Sequence, residues 1–211
     1  MNQEFVAFGS AEYWLLLLLL ILARGADFFS TWLATPRLTL EANPLARALG
    51  WRGGLLLNAV ICAALAAWPL PALMLATTSI LVAARNCQSA WLSRTMGEPA
   101  YRTWLADRLS DAPRGLYYLC LGAQSLAYAG LGVAVIVFAG GNQVLLGLGF
   151  GFVGFAIAVP LFTWLGVRGL LRRGPRRPPF NLNANVRSDA ITVPPAGRAG
   201  KPDPRLSPAA G

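Results

Sequence analysis

Residues Tyr13 to Leu33, YWLLLLLLILARGADFFSTWL, decide the fold of this chain. Eight consecutive aliphatic residues follow Trp14, and Trp32 lies near the other end of the run. On an α-helix that rises about 1.5 Å per residue, the two tryptophans are about 27 Å apart, close to the thickness of the hydrocarbon core of a bilayer. Tryptophan is enriched at both membrane–water interfaces. The stretch therefore predicts a membrane-spanning helix over residues 13–34.

Four further apolar runs follow the first, and together they determine the fold class. Of the 211 residues, 55% are hydrophobic and only 13% are charged, and the mean hydropathy is +0.51. Soluble domains average about a quarter charged residues. This composition excludes an ordinary soluble enzyme, a disordered regulator and a fibrous protein, and it predicts an all-α integral membrane helical bundle. The predicted transmembrane helices cover residues 13–34, 54–68, 70–91, 116–139 and 143–167.

The distribution of basic residues predicts the orientation in the membrane. No Lys or Arg precedes Arg24, the segments after the second and fourth runs are uncharged, and arginines occupy the first loop, the third loop and the C-terminal segment. Because basic residues accumulate on the cytoplasmic side, we expect the N-terminus outside and the C-terminus inside. The lack of a basic segment before the first run argues against a cleavable signal peptide. The abundance of Arg, Ala, Gly, Leu and Pro is typical of a GC-rich bacterial genome and favours the bacterial cytoplasmic (inner) membrane.

A polar segment between the third and fourth runs has helical spacing. Tyr101, Trp104, Leu105 and Leu109 recur on one side, and Pro99 suits the first turn of a helix. We expect an amphipathic helix over residues 98–111 that lies on the inner membrane face. A cytosolic helix that binds another protein is the alternative.

The C-terminal segment has a different composition. From Gly174 onward, prolines recur and apolar residues become sparse, so residues 174–211 are predicted to be a disordered cytoplasmic tail that follows a transmembrane domain over 1–173. The arginines that open this tail are expected either to bind anionic lipid or to set the orientation of the last span.

The residue types that are missing exclude several kinds of chemistry. The chain has no histidine, which excludes catalytic triads, histidine-ligated haem and the usual zinc sites. Its three cysteines lie far apart without a C-x-x-C spacing, so neither a disulfide framework nor a metal cluster is predicted. The net charge of +9 comes from basic residues that border apolar runs. We therefore expect membrane lipids, and not nucleic acid, as partners, and we predict no metal and no cofactor.

Charged side chains inside the predicted spans are the candidates for function, because each costs about 3 kcal/mol on insertion scales. Arg24 and Asp27 share one face of the first helix. By depth, Asn58 of the second helix and Arg85 of the third reach the same inner third of the membrane. With neighbouring polar residues and two residues of the following loop, the predicted site consists of Arg24, Asp27, Thr31, Glu41, Asn43, Asn58, Arg85 and Asn86.

Three interpretations of this polar layer remain open. In a cytosol-side pocket, Asp27 would bind a proton or cation, and Arg85 or Arg24 would hold an anionic group such as phosphate. Alternatively, an Asp–Arg pair fastens the helices and does nothing else. The third interpretation is catalysis. Two arginines against one aspartate leave one positive charge in excess, which favours an anionic ligand.

The first loop contains a short helix signal over residues 41–50. Asn43 is a good N-cap, Pro44 fits the first helical position, and Gly50 is a good C-terminal stop. Together they predict a helix of about six residues on the inner surface. Glu41 precedes the cap and is not explained by it, so it is a candidate to fold over the Asp27 layer.

The residues Asp27-x-x-x-Thr31 and Glu41-x-Asn43-Pro44 carry a resemblance to a family. Together they resemble the D-x-x-x-T…E-x-N-P signature of an uncharacterised family of prokaryotic multi-pass membrane proteins, over about residues 13 to 70. The basic residue that this family leads us to expect in the second helix is absent, and Asn58 is the polar residue there. The resemblance implies no reaction, but it draws attention to the four signature residues.

Gly147-x-x-x-Gly151 in the fifth run is a helix-packing motif and not a nucleotide-binding loop, because it lies inside a span. It allows another helix to approach closely. That helix belongs either to the same chain or to a partner, such as a second copy in a homo-oligomer.

The sequence leads to three functional hypotheses. The first is a small bacterial inner-membrane protein whose pocket binds a lipid headgroup or small anionic solute, as an accessory subunit or small transporter. The second is a membrane enzyme that acts on a lipid-linked phosphate or isoprenoid, with Asp27 and Glu41 as acid/base groups or metal ligands. The third is a structural or assembly protein of a membrane complex. No multi-carboxylate motif is recognised, so the prediction leans away from an enzyme.

Overall fold

The computed structural model describes residues 5–38, 44–111 and 113–173, and residues 174–211, which form the predicted tail, lie outside it. Every regular element in the described ranges is an α-helix. The helices are α1 (Ala11–Ala34), α2 (Pro44–Leu65), α3 (Pro69–Met96), α4 (Glu98–Asp111), α5 (Arg114–Val137) and α6 (Gln143–Arg173).

Five helices, α1, α2, α3, α5 and α6, have the length and apolar composition needed to cross a membrane. The predicted all-α membrane bundle is thereby confirmed. The sixth helix, α4, has the bounds expected for the amphipathic segment. Three spans differ most from the predicted runs. The last continues six residues past its predicted end at residue 167, to Arg173. The third continues five residues past its predicted end at Trp91, because the polar residues after it remain helical to Met96, and the second ends at Leu65 in a turn before Pro69.

The helix ends follow from local sequence chemistry. The Ser10 hydroxyl accepts a hydrogen bond from the backbone N–H of Tyr13 (3.2 Å) and caps α1. Pro69 occupies the first turn of α3, and Gly97, with a φ of 78°, allows the sharp turn into α4. Asn142 caps α6 by accepting hydrogen bonds from two backbone N–H groups.

A break within α2 matches the predicted short helix of the first loop. Gly50 has φ 62° and ψ −172°, so residues from Pro44 to Leu49 form a separate short helix before the membrane-spanning part. A positive φ is accessible to glycine at little cost. The predicted cap Asn43 and its neighbour Glu41 lie outside the described residues.

The spans are arranged around α3 and α6. Helix α3 packs on one side against α1 and on the other against α6, and α5 packs on α6. Along α1, Arg24 contacts Ser79 and Thr31 contacts Asn86, so α1 and α3 run in the same direction. Along α6, Gly147 adjoins Leu73 and Thr163 contacts Arg85, so α6 also runs in this direction. Helix α2 runs antiparallel to α1 and makes fewer contacts with the bundle.

Small residues allow these close contacts in the absence of large apolar side chains. On α3, the face toward α1 buries alanines and serines at helical spacing, and on α6 glycines face α3. The Thr78 hydroxyl donates to the Gly151 carbonyl (3.1 Å) across the α3–α6 contact. Interfaces of this kind are typical of membrane helices, where packing and interhelical hydrogen bonds replace the hydrophobic effect. The buried small residues of α3 are Ala72, Ala76, Ser79, Ala83, Ala90 and Ser93.

The outer surface is apolar, and its arginines collect at one end. Large exposed aliphatic and aromatic side chains cover the spans, and tryptophans lie close to the helix ends. Helices α1, α3 and α6 end where α4 lies, and we call this end of the bundle the basic end. The arginines at this end whose side chains are described are Arg37, Arg47, Arg52, Arg94, Arg102, Arg108 and Arg168.

The positive-inside rule places the basic end in the cytoplasm, and this prediction is directly testable. Fused after Gly211, a reporter that works only in the cytoplasm is expected to be active, and a reporter that works only after export is expected to be inactive. Fused at the turn of Gly140 and Gly141, the two reporters are expected to show the reverse. The opposite pattern at both positions would invert the orientation. The same pattern at both would contradict the five-span arrangement.

Candidate functional site

Arg24 connects three helices through its guanidinium group. Its Nη1 donates to Asp27 Oδ2 (2.7 Å) in an ion pair on α1, and to the Ser79 hydroxyl (3.1 Å) on α3. Its Nε donates to Asn58 Oδ1 (2.6 Å) on α2, and the Asn58 amide in turn donates to the Gly54 carbonyl (2.7 Å). The three helices are thus joined by one chain of hydrogen bonds.

Among the described residues, this cluster pairs one positive with one negative charge, and Arg24 has three hydrogen-bond acceptors. The side chains of Arg24 and Asp27 are 23% and 15% exposed, so both charges are largely removed from solvent. A partly buried ion pair of this geometry costs less than either charge alone, because each ion compensates the other. The hydrogen bonds of Arg24 therefore link α1, α2 and α3 and stabilise their packing.

A polar seam continues from this cluster toward the basic end between α1 and α3. Asn86 donates to the hydroxyls of Thr31 (3.0 Å) and Ser30 (3.4 Å). Arg94 donates from Nε to the Leu33 carbonyl (2.7 Å) at the end of α1, where a cation is favoured by the helix dipole. Every group in the seam bonds between α1 and α3, so these residues stabilise the helix pair.

Arg85 lies on the opposite side of α3, toward α5 and α6. Its Nη2 donates to the Thr163 hydroxyl (3.1 Å) on α6, and its buried Nη1 has no hydrogen-bond partner among the residues that the structure describes. Within residues 5–38, 44–111 and 113–173, no carboxylate forms an ion pair with it. Within the described part of the chain, the positive charge of Arg85 has no counter-ion.

Two tyrosines of α5 and an apolar cluster lie in the neighbourhood of Arg85. Tyr117 and Tyr128 of α5 lie within electrostatic range of its guanidinium group. Toward the middle of the membrane, the site is closed by a packed apolar cluster. The buried members of this cluster are Leu121, Phe155 and Val159, and Leu81, Val82 and Tyr128 pack against them.

The guanidinium group of Arg85 is held near the membrane interface. Its partner Thr163 is next to Trp164, which is 43% exposed and carries Arg168 over its ring at 5.2 Å. Exposed tryptophans mark the level of the headgroups. Although the Cα of Arg85 is deeper, its long side chain reaches this level, as membrane arginines commonly do.

Helix α4 lies at the same end of the bundle. It packs against α3 and α6, the two helices that carry Arg85 and Thr163. Its Tyr101 is within electrostatic range of Tyr117, and burial raises the pKa of the Tyr101 hydroxyl above its ordinary value. Tyr101 is therefore a neutral hydrogen-bond donor at neutral pH.

The structure divides the predicted polar layer into separate groups. It brings Arg24, Asp27 and Asn58 together, and it joins Thr31 to Asn86 further along the seam. Arg85 is separated from both groups by the body of α3. Sequence reasoning missed three partners in these networks: Ser30, Ser79 and Thr163.

The described residues contain no group of three or more His, Cys, Asp or Glu side chains placed to hold a metal ion. No family model, curated protein or solved structure matches this chain. The similarity to the D-x-x-x-T…E-x-N-P family therefore remains a proposal. A function must be argued from the two arginine sites themselves.

Proposed function

We propose that this chain is a multi-pass protein of the bacterial inner membrane that binds a phosphate-bearing anion at Arg85, between α3, α5 and α6. The bound group belongs to a lipid headgroup or a small anionic solute. An accessory subunit or a small transporter is the role that such a site suits. The observation that carries the proposal is the buried Nη1 of Arg85, for which the described residues offer no hydrogen-bond acceptor.

The energetics of a lone arginine support this proposal. A charged side chain in a span costs about 3 kcal/mol on insertion scales, and a buried donor without a partner costs a further 1–3 kcal/mol, roughly. Arg24 avoids both costs through Asp27, Asn58 and Ser79. Arg85 lowers the insertion cost by reaching the interface, but its buried Nη1 has no hydrogen-bond partner among the described residues. An external anion is the partner that would compensate it.

Phosphate suits the groups that are present. The planar guanidinium group binds phosphate oxygens through two parallel N–H donors, and it stays charged at all physiological pH values. The Thr163 hydroxyl accepts a hydrogen bond from Arg85 and retains its own proton, which it can donate to an anion. No carboxylate forms an ion pair with Arg85 among the described residues, and so binding of an external anion is favoured over carboxylate-based catalysis.

The Arg24 cluster has a different proposed role. Because Asp27 already neutralises Arg24, and Asn58 and Ser79 occupy further donors, this site has no charge left to attract an anion. We therefore assign the fastener interpretation to Arg24 and Asp27, and the anion-binding interpretation to Arg85. The proposed role of membrane lipids as partners depends on the second of these sites.

Native mass spectrometry of the purified protein with added phosphatidylglycerol tests this assignment. Arg85→Gln is expected to reduce the bound fraction at least tenfold, since a charge-assisted hydrogen bond contributes about 1.5–3 kcal/mol. Arg85→Lys, which keeps the charge but loses the planar fork, should bind at an intermediate level.

The matched control is Arg168→Gln, which removes the same charge from the exposed surface of the basic end. It should retain at least half of the parent's bound lipid. An equal loss of bound lipid in Arg85→Gln and Arg168→Gln would mean that only net positive charge matters. Equal binding of lipid by the parent, Arg85→Gln and Arg168→Gln would refute the Arg85 site.

A further inference from the structure

We infer that this chain forms a parallel homodimer in the membrane through the exposed face of α5, with the amide of Gln124 hydrogen-bonded to Gln124 of a second copy. This inference goes beyond the proposed function and does not depend on an anion at Arg85. Three observations carry it: the exposure of Gln124, its depth in the span, and the spacing of the residues that share its face of the helix.

Gln124 is exposed on the outer surface of a membrane-spanning helix. It lies nine residues after Gly115 and thirteen before Val137, which are the ends of the span. At about 1.5 Å per residue, about 14 Å and about 20 Å of helix extend on its two sides, so the side chain is near the middle of the bilayer. It makes no hydrogen bond with any described residue. An amide without partners is costly at this depth, because no water is present to replace them.

Polar side chains elsewhere in the spans find their partners inside the bundle. Asn58 bonds to Arg24 and to the Gly54 carbonyl, and Thr78 donates to the Gly151 carbonyl. Gln124 differs from them, because α5 packs extensively on α6 alone among the described helices and Gln124 lies outside that contact. A neighbouring molecule is therefore the source of its hydrogen-bond partner.

The residues around Gln124 have the spacing of a helix–helix contact. They recur along α5 at alternating intervals of four and three residues, and every member is exposed; we call this series the α5 seam. Its members are Cys120, Gln124, Ala127, Leu131 and Ala134. Such spacing is that of the contact line in a left-handed coiled coil, the geometry in which most membrane helices cross. The small alanine and cysteine side chains allow two helices to approach closely enough for amide groups to meet.

A second copy of the chain is the partner that presents a matching amide at the same depth. All copies insert with the same orientation, so two α5 helices related by a twofold axis along the membrane normal are parallel, and their Gln124 side chains lie level. A glutamine amide has both an N–H donor and a carbonyl acceptor, so two of them can each donate to the other. In parallel coiled coils, a single polar residue on the contact line similarly fixes the register and the number of helices.

The glycine motif of α6 is not available for this dimer. Gly147 adjoins Leu73 and Gly151 adjoins Thr77, both on α3 of the same chain. The close approach that these glycines permit is thus made within one molecule. The α5 seam, in contrast, is uncovered in the described structure.

The dissociation constant of the dimer tests this inference. Full-length chains that carry a donor or an acceptor fluorescent protein after Gly211 are mixed in micelles, and energy transfer is followed as the detergent is increased. Gln124→Leu is expected to raise the dissociation constant about tenfold, since two interhelical hydrogen bonds of average strength are lost. Ala127→Trp should abolish energy transfer by keeping the helices apart. The matched control is Leu126→Trp, which alters a residue that is 75% exposed but outside the seam, and it should leave the constant unchanged.

The native cysteines supply a second readout in liposomes. Cys120 lies on the α5 seam, whereas Cys87 is also exposed but lies on α3. Oxidation with copper phenanthroline should link two copies of a chain that keeps only Cys120 (Cys62→Ala with Cys87→Ala). A chain that keeps only Cys87 should stay monomeric on a denaturing gel.

Three results would overturn the α5 dimer. They are a parent that shows no energy transfer at any detergent ratio, energy transfer that is the same in the parent, Gln124→Leu and Ala127→Trp, and equal crosslinking through Cys120 and Cys87. None of these results depends on Arg85, so the proposed anion site stands or falls separately.

Discussion

Replacing Gly147 and Gly151 together by alanine is expected to lower the free energy of unfolding by about 2–4 kcal/mol. A Cβ atom at Gly147 would lie 2.4 Å from the Cβ of Leu73, and one at Gly151 would lie 2.4 Å from the Cβ of Thr77. These neighbours are the first atoms of their side chains and cannot rotate away. The α3–α6 contact must therefore widen, and the gain in helix propensity from alanine, below about 1 kcal/mol each, is too small to offset this.

Reversible unfolding in mixed micelles, followed by circular dichroism, measures this effect. Gly122→Ala together with Gly130→Ala on α5 is the matched control, because nothing lies within 4 Å of the added Cβ atoms. That control should be as stable as the parent or slightly more so. Equal stability of the two double variants would contradict the tight α3–α6 contact.

The same variants test the proposal of a partner at these glycines. In the described structure, Gly147 and Gly151 contact α3 of the same chain, which is one of the two arrangements expected from the sequence. If the parent is a homo-oligomer that the glycine substitutions dissociate without loss of monomer stability, the glycines serve a second copy. The intrachain contact predicts a loss of stability whatever the oligomeric state.

The second large effect is expected for Asp27→Asn, with a loss of about 2–3 kcal/mol in the free energy of unfolding. The substitution leaves the partly buried Arg24 without its counter-ion, although Asn58 and Ser79 still accept hydrogen bonds from it. Arg24→Gln should cost a similar amount, because it leaves Asp27 without its cation. Arg85→Gln should not destabilise the protein, since Arg85 has no carboxylate partner among the described residues.

Thermal unfolding of the three variants in the same detergent decides this point. The double variant Arg24→Met with Asp27→Leu is the control, because it removes both charges together and should recover most of the stability lost by either single change. A loss of stability in Arg85→Gln as large as that in Asp27→Asn would contradict the division of the two arginines into separate sites.

The bounds of the helices could be predicted from the sequence, because hydropathy and helix capping depend only on residues that are close together along the chain. Trp14 and Trp32 bracket one span, and the helix over 98–111 and the break at Gly50 follow from residue types that permit few alternatives. None of these features depends on which helices are neighbours. The bounds of the spans therefore came within a few residues of those in the structure.

The helix that Arg85 faces was harder to predict, because the depth of a residue in the membrane does not determine the direction in which its side chain points around the helix axis. Arg85 and Asn86 have nearly the same depth, but successive residues on an α-helix are about 100° apart, and so Asn86 bonds to α1 while Arg85 bonds to α6. The row of small residues that includes Ser79 and Ala83 marks the α1-facing side of α3. That row is visible in the sequence and would have separated Asn86 from Arg85.

The partners that complete each network were not predictable for a related reason. Ser79 and Thr163 are common residues in membrane helices, and either can bond to its own backbone. Only the packing of α3 between α1 and α6 selects them as the acceptors for Arg24 and Arg85. The identity of the nearest helices, which hydropathy does not encode, decides which arginine is neutralised and which is not.

The proposed anion site at Arg85 is tested most directly by the change in thermal stability when phosphatidylglycerol is added to the detergent-purified protein. A ligand that binds only the folded state raises the transition temperature with concentration. If the lipid binds at Arg85, the transition temperature rises for the parent and for Arg168→Gln, and does not rise for Arg85→Gln. An equal rise in all three proteins would show that the lipid acts elsewhere and would contradict an anion site at Arg85.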